Sequence, residues 1–383
     1  MFKRAKYRLY PTKSQADLLD KHIGACRFIY NLALETKQIA YASNQKNLSC
    51  FDLMGQLPDL KKECPWLKEV NAQSLQQAIV NLDTAYTNFF KGKANFPKFK
   101  SKRNSNQSFI VQQRIKIFEK SISIPKFSPI KAVIHRKIDG KVKGATVLKT
   151  PTGKYFASVL FETTEAAPVK PKITEANTIG IDLGIKDFAI TSNGEKFANP
   201  RFLKKSMSKL KFAQRKYSKY KGKRTKQKLA LLHEKVVNHR SNFLHQITKK
   251  LVVENQTIAL EDLNVSGMIK NHSLAQSIHD VSWGKFGELI NYKAEWYGAN
   301  IIKIGRFEPS SRMSDCGQVN KELTLKDRVW TCEHCGNTYD RDIQAAKNIK
   351  KFALRNYVSG TDTKTRNELP TLVGVLTCEA PKG

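Results

Sequence analysis

The chain has 383 residues, with 67 Lys or Arg against 33 Asp or Glu and a formal charge of +34. That length exceeds one ordinary core and implies two or three domains, and a charge that repels itself this strongly is expected where the partner is a polyanion, above all a phosphate backbone. An anionic membrane is disfavoured, because no apolar run approaches a span, no anchor motif appears and MFKRAKYRLYPTK lacks a signal core; a small-molecule substrate is not expected either.

Residues 2–10 alternate, with Lys3, Ala5, Tyr7 and Leu9 on one face and Arg4, Lys6 and Arg8 on the other, which predicts a strand with a basic face. Pro11 ends it. Thr12 and Gln15 make a capping-box pair opening a helix that buries Leu18, Leu19, Ile23 and Phe28. A second helix is predicted from about Asn71 to Phe90, and its stripe of Leu75, Ile79, Leu82, Tyr86 and Phe89 reads as core. From Ser108 to Thr163 the period falls to two. FIVQQ, RIKIF, SISIP, KAVIH, GATVLKT and YFASVLFET read as short strands, with turns at Asp139-Gly140 and Thr152-Gly153. They predict a small β-barrel that the first strand joins, the intervening helices being an inserted lobe. VKPKITEAN, 169–177, is the expected linker.

Beyond it the pattern is α/β. TIGIDLG leads into DFAITSNGEKF, with a hairpin turn at Asn193-Gly194. Two long helices run to about Glu254, striped by Leu229, Leu232, Val236, Phe243, Ile247 and Leu251. A strand TIALEDL, a helix around 282–298, a strand IIKIG, a cysteine-bearing loop and a helix opened by Asp342 follow. The residues after Ser359 read as a disordered tail. Seven cysteines without a disulfide framework fit a reduced cytosol; Cys26, Cys50, Cys64 and Cys378 show no ligand spacing.

Two stretches carry cations with no compensating acid. The thirteen from Arg201 to Lys228 include Lys204, Lys205, Lys209, Lys211, Arg215, Lys216, Lys219, Lys221, Lys223 and Arg224, with Phe212, Tyr217 and Tyr220 interspersed. The eight from Thr84 to Phe118 include Lys91, Lys93, Lys98, Lys100, Lys102 and Arg103, with Phe96 and Phe99 interleaved. A charge run is usually a solvated helix face. The missing acids favour phosphate contacts with aromatic stacking on bases.

Three acids, Asp182, Glu261 and Asp342, carry the candidate chemistry. Each alone has an ordinary reading, Asp182 as a turn acid and Asp342 as an acid favoured by a helix dipole. An acid between Ile181 and Leu183, or after Ile258, Ala259 and Leu260, is harder to dismiss, because buried acids need a partner or a metal. Phosphodiester hydrolysis needs an attacking water, charge relief on the phosphate and a stabilised leaving oxygen. Two divalent ions about 4 Å apart supply all three, and such ions take oxygen ligands. Two strand ends and one helix start can converge at a sheet edge, so Mg²⁺ or Mn²⁺ on Asp182, Glu261 and Asp342 is the expectation.

YPTKSQADLLDKHIGACRFIYN, FPKFKSKR, GIDLGIKDFAI, ALEDLNVSGM, PSSRMSDCG and CEHCGNTYDRDIQAAKNI together resemble the TnpB (OrfB) family. These are transposon-encoded RNA-guided DNA endonucleases related to type V CRISPR effectors, and the resemblance runs to about residue 355. It implies a multidomain α/β plus β-barrel protein. A wedge-like barrel would span 1–10 plus 105–168, a helical recognition lobe 11–104, a RuvC-like (RNase H-like) nuclease 178–305 plus 340–356, a zinc-ribbon-like insert 306–339 and the tail 357–383. The resemblance puts the catalytic triad on Asp182, Glu261 and Asp342, with Asp182 bridging both ions. It implies a guide RNA from the transposon end, a double-stranded DNA target with a short flanking motif, and a prokaryotic cytoplasm with nucleoid association on DNA.

The same resemblance makes Cys332-x-x-Cys335-Gly half of a zinc ribbon. The family's other half is C-x-x-C-G, whereas PSSRMSDCG offers Cys316-Gly317 with Met313 three residues earlier, or with one residue lost after it. Cys316, Cys332 and Cys335 are the expected incomplete Zn²⁺ site, and a vestigial ribbon without metal is the alternative. Two other functions stay open: a nuclease-silent RNA-guided DNA-binding regulator, and a transposase acting in DNA recombination.

Overall fold

The structure is a computed structural model that describes residues 1–103, 107–305, 308–324 and 326–358. The described chain divides into two units, residues 1–166 and residues from 167 onward. In the first, β1 (Phe2–Tyr10) sits inside an antiparallel sheet with β2 (Gln107–Val111), β3 (Lys116–Ile117), β4 (Ser121–Ser123), β5 (Ile130–Val133), β6 (Lys141–Lys149) and β7 (Tyr155–Glu162). The order is β2-β6-β7-β1-β5-β4-β3. Ala5, Tyr7 and Leu9 are buried while Arg4 and Lys6 are exposed, as the alternation predicts. No ladder among the described residues joins β2 to β3, so the hydrogen-bonded closure of a barrel is not seen. With β3 and β4 only two and three residues long, that edge has few groups to pair.

Among the described residues the α-helices of this unit are α1 (Lys13–Asn44), α2 (Cys50–Gly55), α3 (Leu57–Glu63) and α4 (Ala72–Phe90), with a 3₁₀ helix at Pro65–Glu69. Thr12 and Gln15 form the reciprocal capping box at the start of α1. Leu19, Ile23, Ile29 and Leu34 face the core, but Phe28 does not. It lies nine residues, two and a half turns, from Leu19, which puts it on the far side of the helix, against Trp66. On α4 Leu75, Ile79 and Leu82 are buried; Tyr86 and Phe89 are half-buried and cluster with Phe90 and Phe96.

At the centre of the unit His22 is fully buried between the rings of Phe109 and Phe127, 5.0 and 4.9 Å away. Its Nδ1 bonds the Leu18 carbonyl at 2.8 Å, and its Nε2 accepts from the Asn71 N–H at 3.1 Å. The second bond requires a neutral ring. Burial holds the His22 pKa below its ordinary value.

In the second unit β8 (Thr178–Leu183), β9 (Asp187–Thr191), β10 (Lys196–Ala198), β11 (Thr257–Glu261) and β12 (Asn300–Ile304) form one mixed sheet in the order β10-β9-β8-β11-β12. β9 is antiparallel to both β10 and β8, while β8, β11 and β12 run parallel. Helices α5 (Phe202–Tyr220), α6 (Lys223–Glu254), α7 (Val265–Met268), α8 (His272–Val281), α9 (Trp283–Tyr297) and α10 (Arg341–Val358) complete the unit, with a small hairpin of β13 (Val329–Thr331) and β14 (Thr338–Asp340). The segment before β8, expected as a linker, has no regular structure but is tied down by Lys170–Glu295 at 2.6 Å and by Asn300 Nδ2 donating to the Pro171 carbonyl at 2.8 Å. The expected tail overlaps the end of α10 at Tyr357 and Val358 and otherwise lies outside the described residues.

Strand alternation divides the sheet between two helical layers. Ile179, Ile181, Ile258 and Leu260 pack with Leu244, Leu251, Phe286 and Ile290 of α6 and α9. On the other face Ala259, Ile302 and Ile304 pack with Ile349, Phe352 and Ala353 of α10. Gly180 belongs to that second face. A Cβ there would fall 2.0 Å from the Ala346 carbonyl oxygen and 2.7 Å from the Lys350 nitrogen, so α10 lies directly on β8 because residue 180 has no side chain.

Asp280 of α8 joins three elements. It accepts from the N–H groups of Leu203 (3.0 Å) and Lys204 (3.2 Å), filling the first turn of α5, and pairs with Arg240 of α6 at 3.3 Å.

Gly180→Ala should destabilise the second unit by roughly 1–3 kcal/mol or more, since backbone and not a flexible side chain must move; a urea midpoint unchanged from wild type would refute the contact. His22, with a folded pKa below its unfolded value near 6.5, contributes stability present above pH about 6.5 and lost as pH falls through the folded pKa. His22→Gln should flatten the acid-side fall in the first unit's urea midpoint, and an unaltered pH slope would rule this out.

Candidate functional site

The three sequence-nominated acids end up at one end of the second sheet. Leu260 pairs with Ile181, so the next residues, Glu261 and Asp182, stand level on adjacent parallel strands. Both share the face of Gly180 and Ala259, where α10 packs. Asp342 is in the first turn of α10, one turn before the Ala346 that rests on Gly180. The side chain of Asp340 accepts from the N–H groups of Asp342 (3.0 Å) and Ile343 (3.2 Å) and pairs with Lys196 of β10 at 2.7 Å, which fixes the start of the helix.

Electrostatics record the convergence. Burial pushes the Asp182 carboxyl up to about 7; the charges of Glu261 and Asp342 push the same way, and Arg341 opposes them. Burial also raises Glu261, against a hydrogen bond from Ser310 Oγ at 2.6 Å. Asp342 is differently placed. Arg328 forks onto both of its oxygens at 3.2 and 3.0 Å, and Arg341 Nε lies 3.6 Å away. The acids influence one another without forming a tight cluster. Among the described residues, the trio of ligating side chains with all donor atoms within 4.8 Å is Cys316, Cys332 and Cys335.

Those cysteines sit on two knuckles. Cys332 is buried and packs with Leu323, Trp330 and Tyr339; Cys316 is exposed, with its Sγ 3.8 Å from that of Cys332. The loop holding Cys316 is anchored to α10 by two buried amides. Asn348 Nδ2 donates to the carbonyls of Ser310 and Met313, both at 2.7 Å, and Gln344 Nε2 donates to Asp315 Oδ1 at 2.9 Å. Ser310 therefore lies between Glu261 and α10. Sequence reasoning passed over Ser310, Ser314 and Arg328. PSSR and KDRVW carry no spacing that marks Ser310 or Arg328, because their partners come from other elements, and Ser314 was hidden behind the missing C-x-x-C pattern.

The cations of 204–224 are exposed on α5 and the start of α6, and among the described residues no acid pairs with them. Phe212 and Tyr220 are 64% and 60% exposed beside them. Lys91, Lys93, Lys98, Lys102 and Arg103 are exposed after α4, near Phe90 and Phe96. Lys100 is exposed as well, but its Nζ lies 3.8 Å over the ring of Tyr30, and partial desolvation there lowers its pKa. Among the described residues no helix is long and apolar enough to cross a membrane.

Comparison with known proteins fits this geometry. Residues 158–272 match the OrfB_IS605 family, described as a probable transposase. Residues 283–349, which contain the ribbon and the start of α10, match a Cas12f1-like TNB domain. Residues 1–46 match a family described as a helix-turn-helix domain, although here they form one strand and one long helix. A putative RNA-guided DNA endonuclease of Streptomyces pristinaespiralis is 35% identical, covering 96% of this chain and 93% of the relative. The putative RNA-guided DNA endonuclease InsQ of Escherichia coli K12 is 30% identical, covering 90% of each. The fold is similar to the protein in a Cas12f1–sgRNA–target DNA complex, with a TM-score of 0.57 over 88% of this chain and 83% of that one at 14% identity. With relatives at 35% and 30% identity over most of its length, the chain belongs to the TnpB (OrfB) family.

Proposed function

We propose that the protein is a transposon-encoded RNA-guided DNA endonuclease that cuts DNA by metal-assisted hydrolysis at Asp182, Glu261 and Asp342. One observation carries the site: acids from β8, β11 and α10 gather at one sheet end closely enough that Glu261 and Asp342 both raise Asp182. The mixed sheet with helices on both faces supports the RuvC-like, RNase H-like reading of residues 178–305 plus 340–356. The seven-stranded antiparallel sheet and the helices between β1 and β2 support the wedge and recognition-lobe reading of residues 1–168.

The donor set suits hard divalent cations, since it is all oxygen and its like charges destabilise one another. Asp182, Glu261 and Asp342 would hold Mg²⁺ or Mn²⁺, which when bound supplies charge relief on the scissile phosphate and an activated water. The protein's own part is placement. Strand ends fix Asp182 and Glu261, Ser310 orients Glu261, and the contact at Gly180 brings Asp342 to them. Arg328 pairs with both oxygens of Asp342, so it would share that carboxylate with a bound cation.

The exposed cations of α5, α6 and residues 91–103 fit the backbones of a guide RNA and a double-stranded DNA target, with target sequence read by base pairing. Cys316, Cys332 and Cys335 fit a zinc ion in the ribbon. Residence in a prokaryotic cytoplasm, with nucleoid association on DNA, follows from that reading.

Protein purified with co-expressed RNA should cut plasmid DNA in Mg²⁺ at least about a thousandfold faster than Asp182→Ala. If RNA and DNA bind but wild type cuts no faster than the variant, the protein is a silent regulator; strand-joined products would establish the transposase alternative. In EDTA, selectively labelled Asp182 should titrate by NMR near pH 7, lower in Glu261→Gln and higher in Arg341→Ala. A raised folded pKa gives a contribution that is full below the unfolded value of 3.8 and lost as pH rises through about 7. Asp182→Asn should therefore gain stability over wild type at pH 8, a gain that vanishes toward pH 4, and an equal gain at both would dismiss the shift.

A further inference from the structure

We propose that Ser314 supplies the fourth corner of the ribbon's zinc site, a donor set of three thiolates and one hydroxyl. The three cysteines account for three of the four donors that zinc takes. The 3.8 Å between Cys316 and Cys332 Sγ matches the edge of a tetrahedron with arms of about 2.3 Å, roughly 3.8 Å. The Ser314 Oγ is 3.0 Å from Cys316 Sγ, and the residue is fully buried.

The two knuckles have the same construction at different lengths. In the second, the Cys332 N–H donates to the Asn337 carbonyl at 2.9 Å, the Gly336 N–H donates to the Cys332 carbonyl at 2.8 Å, and Gly336 has φ 70°. In the first, the Ser314 N–H donates to the Gln318 carbonyl at 2.9 Å, the Gly317 N–H donates to the Ser314 carbonyl at 3.1 Å, and Gly317 has φ 88°. Each bond of the first knuckle spans one residue fewer, so Ser314 holds the place that Cys332 holds in the second. Met313, three residues before Cys316 as C-x-x-C spacing would require, points elsewhere. It pairs with Val319 in a single antiparallel bridge and packs against the apolar cluster of β11, β12 and α10. The shortened loop has moved the ligand position from 313 to 314.

A neutral hydroxyl is a weaker zinc donor than a thiolate, so the site should hold zinc and release it readily. The assignment rests on the ribbon being a zinc site. The full chain, purified with zinc, is assayed for metal by elemental analysis and for release to a colorimetric chelator, as wild type, Ser314→Cys, Ser314→Ala and Met313→Cys. Wild type should carry one zinc and lose it at least about tenfold faster than Ser314→Cys. Ser314→Ala should lose it faster still, and Met313→Cys should match wild type. In cobalt-loaded protein, the thiolate charge-transfer band should grow from three sulfurs to four in Ser314→Cys alone. Wild type without zinc would end the zinc reading itself. Retention in Ser314→Ala equal to wild type, or a gain in Met313→Cys instead of Ser314→Cys, would overturn only the place given to Ser314.

Discussion

The contact between α10 and β8 at Gly180 is the constraint on which the candidate site depends. The helix that carries Asp342 lies on the strand that ends in Asp182 with backbone against backbone. Ala259, Ala345, Ala346 and Ala353, all buried, extend this small-residue floor. Gly180 and Asp182 share one face of β8, so the residue that admits the helix and the residue that meets its first turn are two positions apart. Packing and chemistry are thereby one geometric fact: whatever lifts α10 also separates the carboxylates.

The sheet also separates two kinds of burial. The layer under α6 and α9 is large and apolar, with Phe188, Phe286 and Trp283. The layer under α10 is thinner and carries the polar residues Gln344 and Asn348. Buried amides are tolerated only when bonded, and here their partners are the loop that leads to Cys316. Ser310 in that loop bonds Glu261, so ribbon, strand and helix share one polar network around the acids.

Much of this was legible in the sequence because it rests on local periodicity. The alternation of β1, the capping box at Thr12, the stripe of α6 and the strand ends at Asp182 and Glu261 each follow from a few neighbouring residues. Phe28 stands two and a half turns from Leu19, so one apolar stripe cannot bury both. The barrel was expected from strand count, but closure depends on the edges, where β3 and β4 are short. Helix α8 was missed although it carries Asp280, because HSLAQSIHDV is short and its partners lie on α5 and α6. Arg328 and Ser310 were invisible for a related reason: each acts on a residue that only the tertiary fold brings near.

The anchoring of α10 has a further consequence. Asn348 grips the main-chain oxygens of residues 310 and 313, upstream of the shortened knuckle, and a carbonyl is the same whatever side chain it bears. That part of the grip on α10 is thus independent of the loop's side chains, whereas the bond from Gln344 to Asp315 is tied to one of them. A change of side chain at position 313 therefore leaves the Asn348 bond to that carbonyl, and with it this hold on the helix carrying Asp342, available.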